Sequence, residues 1–72
     1  MDWQQLNALG DQLRGIGHQR REIAERIYSE IQDGDQQESK ELYEELSGLS
    51  DSAIELMKQQ KRMFEEKLNQ LS

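Results

Sequence analysis

The sequence predicts an all-α fold, an antiparallel helical hairpin of two long amphipathic helices, and three observations support this prediction. Apolar residues recur at gaps of three and four in two stretches, which is the period of an α-helix. The tripeptide Asp33-Gly34-Asp35 separates the stretches. The 72 residues include no Pro, and Gln, Glu, Lys, Arg and Leu, which favour helices, are abundant. The recurring apolar residues are Leu6, Leu9, Leu13, Ile16, Ile23, Ile27 and Ile31, followed by Leu42, Leu46, Leu49, Ala53, Leu56, Met57, Met63, Phe64, Leu68 and Leu71.

The first helix is predicted over residues 2–32. Asp2 can cap its N-terminus, with Gln5 as the third helical residue of a capping box. Gly15 and Gly17 weaken its middle, because a glycine in a helix interior costs about 1 kcal/mol relative to alanine. The helix could bend there or break in two. We expect one bent helix, since the apolar period stays in phase across the glycines.

The second helix is predicted over residues 36–70. Gly34 can adopt the left-handed conformation that ends a helix. Asp35 then caps the next helix, and Glu38 stands three residues later as its capping-box partner. The turn is therefore short, and the two helices run antiparallel.

A turn centred near Asp35 predicts that residues whose numbers sum to about 70 face each other. Apolar residues then oppose apolar residues, as Ile23 opposes Leu46. This agreement between register and composition is typical of a true hairpin. The other expected pairs are Trp3 with Leu68, Arg26 with Glu44 or Glu45, Asp11 with Lys58, and a close approach of Gly15 and Gly17 to Ala53.

Composition excludes several classes of function for this single domain of residues 1–72. The chain has no Cys and a single histidine, His18, which argues against disulfides, common zinc sites and a catalytic centre. A net charge of −6 argues against nucleic-acid binding. No apolar run approaches the roughly 20 residues of a membrane span, and the N-terminus lacks a signal segment. We expect a cytoplasmic protein that is not an enzyme and needs no cofactor.

The acidic turn contains a partial match to a calcium-binding loop. The window of residues 33–44 places oxygen-bearing side chains at EF-hand spacing. However, its sixth position is Glu38 where that loop needs glycine, and its eighth is Lys40 where an apolar residue is usual. The window also overlaps the predicted start of the second helix. We therefore favour an acidic helix start and expect no metal site.

The second helix carries more apolar surface than one neighbouring helix can cover. We predict that this surplus binds a partner protein, because a large exposed apolar patch usually marks an interaction site. The alternative is that the wide face simply wraps around a bent first helix. The residues predicted to bind the partner are Leu49, Ile54, Met57, Phe64 and Leu68.

Two segments carry a resemblance to a known family. They are the Gly34-Asp35 turn and the stretch 48–54, which reads Gly-Leu-Ser-Asp-Ser-Ala-Ile. The chain resembles the small helical-hairpin co-chaperones of bacterial type III secretion, the YscE/EscE-like proteins, mainly over residues 34–57. The resemblance implies pairing with a larger helical chaperone, so that a secreted subunit stays soluble in the cytosol before export.

Three functions therefore remain open for the hairpin. The first is a non-enzymatic adaptor or secretion co-chaperone that packs its apolar face on a helical chaperone or a secreted subunit. The second is a self-associating structural protein, a homo-oligomer in which two hairpins form a four-helix bundle. The third is a small regulator that sequesters a target protein.

Overall fold

The computed structural model describes residues 2–71, which form two helices joined by a tight turn. Helix α1 spans Trp3–Gln32 and helix α2 spans Gln36–Leu71. The helices pack along each other in a rod of 56 × 16 × 13 Å. This arrangement confirms the predicted helical hairpin. Helix α1 runs without interruption through Gly15 and Gly17, so the alternative of a broken first helix is wrong.

The turn ends α1 and begins α2 with one overlapping set of hydrogen bonds. Gly34 has a φ of 79°, in the left-handed region that favours glycine. Its N–H donates to the carbonyl of Ile31 at 3.1 Å, and the N–H of Asp35 donates to the carbonyl of Glu30 at 2.9 Å. This is the Schellman arrangement of a helix C-terminus.

Asp35 also begins the second helix. Its Oδ1 accepts a hydrogen bond from the backbone N–H of Glu38 at 3.0 Å, so it is the predicted N-cap. The Glu38 side chain does not complete a capping box. Instead, its Oε1 lies 3.7 Å from a guanidinium nitrogen of Arg26 in α1.

Asp2 caps α1, also as predicted. Its backbone is extended, and its Oδ1 accepts a hydrogen bond from the N–H of Gln4 at 3.0 Å. The bond therefore reaches the second helical residue, Gln4, and not the third residue, Gln5, which the capping-box pattern indicates.

The two helices contact each other along a seam of residues at heptad spacing, and few side chains of this seam are fully buried. Leu6, Leu9, Ile23 and Leu42 are the buried apolar residues of the described chain. Half-buried residues continue the seam at the spacing of an antiparallel coiled coil. These half-buried residues are Leu13, Ile16 and Ile27 in α1 and Leu46, Leu49, Ala53, Leu56, Gln60 and Met63 in α2.

The predicted register agrees with the structure along most of the hairpin. Arg20 Nε donates to Ser50 Oγ at 3.0 Å, and these residue numbers sum to the predicted 70. The open end differs from the prediction, because Trp3 and Leu68 remain 64% and 63% exposed. The pair expected there therefore buries neither side chain.

Two predicted ion pairs between the helices are replaced by other pairs. Asp11 pairs with Arg14 at 2.8 Å, and Lys58 pairs with Glu55 at 3.6 Å. Residues three apart in one helix are neighbours already, so these pairs immobilise less chain than pairs across the hairpin. Arg26 lines one groove with Glu45, near which it was expected, but its ion pair is with Glu38.

The glycines of α1 do not mediate close packing of the two helices. A Cβ atom added at Gly15 or Gly17 would meet nothing within 4 Å. The expected close approach of these glycines to Ala53 is therefore wrong. Gly15 instead lines an open groove between the two helices, together with Ser52 and Leu56 of α2.

Candidate interaction surface

The inner seam divides the surface of the hairpin into two flanks of opposite character. One flank, which we call the polar flank, follows the seam residues on one side of both helices. Open grooves along it are lined by polar residues of both helices together with apolar seam residues such as Ile16 and Leu56, so the polar flank lies on the same side of α1 and α2. Its residues next to the seam are Gln5, Gln12, Gln19 and Arg26 of α1 and Glu45, Ser52, Gln59 and Glu66 of α2.

The opposite side, which we call the apolar flank, is the candidate interaction surface. Successive residues of a helix lie about 100° apart, so the residue following each of Leu9, Ile16 and Ile23 falls on this side. In an antiparallel coiled coil, these positions of α1 face the equivalent positions of α2 on the same side of the seam. The apolar flank consists of Trp3, Gly10, Gly17, Ala24 and Ile31 in α1 and Tyr43, Ser50, Met57, Phe64 and Leu71 in α2.

Large side chains on the apolar flank are exposed to solvent. Trp3, Ile31 and Tyr43 are 61–64% exposed, and Phe64 and Leu71 are 42% and 74% exposed. Tyr28, Ile54 and Leu68, which are also exposed, lie just outside these positions and widen the patch. The exposed apolar side chains therefore lie toward both ends of the flank, and between Ile54 and Tyr43 they are interrupted by Ser50, whose hydroxyl oxygen accepts a hydrogen bond from Arg20.

The five residues predicted to bind a partner fall into two groups. Ile54, Met57, Phe64 and Leu68 are exposed and lie on or beside the apolar flank. Leu49 is half-buried. It belongs to the inner seam, where it lines a groove together with Ile23. The structure thus brings four of the five residues together on one surface and turns Leu49 toward α1.

Sequence reasoning missed the contribution of the first helix to this surface. Trp3 and Ile31 are exposed, and the residues at heptad spacing between them are Gly10, Gly17 and Ala24. A search for large apolar residues overlooks such a stripe, because its middle is made of small residues. The seven-residue spacing from Trp3 to Ile31 is the signal that could have revealed it.

The exposed area is large for a chain of this size. The accessible surface is 5716 Å², whereas a compact monomer of 8.5 kDa exposes about 4,700 Å². The hairpin therefore exposes an excess of about 1,000 Å², which is comparable to the ~800 Å² that each partner buries in a standard protein–protein interface. The excess follows from the elongated shape of the hairpin, a rod of 56 × 16 × 13 Å.

Charge is distributed unevenly along the rod. Residues 18–52, which form the half next to the turn, contain ten acidic and four basic side chains. Residues 2–17 and 53–71, which form the open half, contain five of each. The half next to the turn thus carries the whole net charge of −6.

The histidine and the acidic side chains of residues 2–71 are dispersed over the hairpin. No group of three or more His, Asp or Glu side chains is placed to hold a metal ion there, and His18 is exposed. The calcium-like window from Asp33 onward enters α2 at Gln36, so most of it is helix and not loop. In the same range, neither helix is long and apolar enough to cross a membrane. The arrangement is suited to packing against other helices.

Comparison with models of protein families, with curated proteins and with solved structures finds no match to this chain. The resemblance to type III secretion co-chaperones therefore remains a prediction.

Proposed function

We propose that this chain is a non-enzymatic protein-interaction module, an adaptor or secretion co-chaperone that packs its apolar flank on a helix of a partner protein. The observation that carries the proposal is the set of large exposed apolar side chains on one side of both helices, from Trp3 and Phe64 near the open end to Ile31 and Tyr43 near the turn. Patches of this extent on small proteins usually mark interaction sites. The proposal places the module in the cytoplasm, with a helical chaperone or an apolar secreted subunit as its partner.

The proposed mechanism is docking of one amphipathic helix along the apolar flank. Phe64 and Met57 from α2 and Trp3 and Ile31 from α1 supply the large anchors. Gly10 and Gly17 leave space between these anchors, because nothing lies within 4 Å of a Cβ added at either. A partner helix can then bury apolar residues spaced three, four and seven apart, which is the usual pattern of helix-in-groove recognition.

The acidic half of the rod would act mainly on the rate and specificity of binding. Complementary charge accelerates encounter and rejects wrongly charged partners more than it adds affinity. A partner helix with basic residues beside its apolar stripe, lying near the turn, fits this distribution. Binding of such a partner should weaken as the salt concentration rises, because salt screens exposed charges.

The test is copurification of a tagged chain with its partner from native cells, using two variants of α2. Phe64→Asp places a charge on the apolar flank, whereas Gln59→Asp places the same charge on the polar flank. Phe64 is 42% exposed and Gln59 is exposed, so both variants should keep the helical hairpin. We expect Phe64→Asp to lose a stoichiometric partner and Gln59→Asp to retain it. Retention of the partner by Phe64→Asp, with helicity unchanged, would contradict the proposal.

A further inference from the structure

We propose that a second copy of the chain covers the apolar flank when no other partner is bound. The two copies lie inverted, with the turn of each against the open end of the other. This inference rests on the apolar flank of the proposed function. It adds a resting state in which the flank is occupied by the chain itself, so that a partner must displace the second copy.

The exposed area matches what a stable pair of hairpins needs. The hairpin exposes about 1,000 Å² more than a compact chain of its mass, and a standard interface buries about 800 Å² per partner. Face-to-face contact of two apolar flanks would remove part of this excess from each copy. The product would be a four-helix bundle in which every helix has apolar neighbours on two sides.

The distribution of charge favours the inverted orientation over the one in which both turns lie at the same end. If both turns lay at the same end, two halves with a net charge of −6 each would face one another. Like charges brought together in this way oppose association. Inversion instead places each acidic half against the open half of the other copy, whose five basic and five acidic side chains cancel.

The order of side-chain sizes along α1 favours the same orientation. The α1 part of the apolar flank reads Trp3, Gly10, Gly17, Ala24, Ile31, large at both ends and small in the middle. Its centre, Gly17, is also near the middle of helix Trp3–Gln32. Two inverted copies therefore place Trp3 of one copy near Ile31 of the other, and small residues against small residues. The space beside Gly10 and Gly17, which nothing in the hairpin fills, then accommodates the neighbouring helix.

Two measurements on the purified full chain test the inference. Light scattering after size exclusion gives the mass across a range of concentrations, and we expect twice the 8.5 kDa of one chain. Spin labelling of Asp33→Cys then gives the distance between the two turns, with no background because the chain has no other Cys. Inverted copies place the labels near the opposite ends of a rod whose length is 56 Å.

The variants used for the proposed function serve as controls. Phe64→Asp should be a helical monomer at concentrations where the wild type and Gln59→Asp are dimers. A monomeric wild type at all concentrations would overturn the inference, while copurification of a different partner would still support the proposed function. A dimer whose labels lie close together would overturn the inverted orientation. A dimer that survives Phe64→Asp would show that another surface mediates it.

Discussion

At the scale of single residues, the two aspartates of the turn have opposite electrostatic and hydrogen-bonding environments. Asp35 accepts the backbone N–H of Glu38 and stands at the N-terminus of α2, where the helix dipole favours a negative charge. Asp33 is the C-cap of α1, where the dipole disfavours one. Two identical side chains two residues apart should therefore contribute differently to stability.

We predict that Asp35→Ala lowers the free energy of unfolding by about 1 kcal/mol, the typical value of an N-cap. Asp33→Ala should leave stability unchanged or raise it slightly, because it removes a carboxylate from a helix C-terminus. Urea unfolding followed by circular dichroism measures both effects. Equal losses in the two variants would show that the cap at Asp35 is not what orders the start of α2.

At the scale of the helices, the inner seam is interrupted in the middle of α1 by an arginine. Arg20 stands at the seam position between Leu13 and Ile27, and its guanidinium reaches across to Ser50 Oγ at 3.0 Å. Ser50 in turn donates its hydroxyl proton to the carbonyl of Leu46 at 2.9 Å. A solvent-exposed hydrogen bond replaces apolar burial there, which limits the stability of the isolated hairpin.

We predict that Arg20→Leu stabilises the hairpin by about 1 kcal/mol, since a leucine buried in the seam gains more than an exposed hydrogen bond contributes. Arg21→Leu is the matched control. Arg21 lies outside the seam and pairs with Glu25 at 3.3 Å within its own helix, so its replacement should bring no such gain. The two variants are compared by urea unfolding at a low protein concentration. An equal gain in both would mean that helix propensity, and not the seam, is responsible.

The same scale shows what the sequence could and could not predict. Helix limits and register follow from the apolar period and from Gly34, because these features act through the backbone. The ion pairs could not be predicted from the register. An exposed side chain loses less conformational entropy when it pairs with a neighbour in its own helix, as Asp11 does with Arg14, than when it pairs across the hairpin. Leu49 was assigned to the outer surface because the apolar face of α2 is broad. Successive residues of a helix lie about 100° apart, so a broad apolar face includes both seam positions and exposed positions, and composition alone does not separate them.

At the scale of the whole molecule, the hairpin has a small core and a large uncovered face. Four apolar side chains are buried within the described chain, and none of them is less than 2% exposed. Small domains of this kind usually need a disulfide, a metal or association to become stable. The chain contains no Cys, and residues 2–71 hold no cluster of side chains for a metal ion, so association through the apolar flank is the source of stability that we propose.

Association of two copies makes a definite prediction for thermal unfolding. If, as we propose, a second copy binds the folded hairpin and not the unfolded chain, the Tm of the wild type should rise with protein concentration. Phe64→Asp should melt at a temperature that does not depend on concentration. Gln59→Asp should follow the wild type, since its charge lies on the polar flank. Circular dichroism melts over a hundredfold range of concentration provide the measurement. A wild-type Tm that stays constant over this range would mean that the hairpin folds alone and that its apolar flank awaits a different chain.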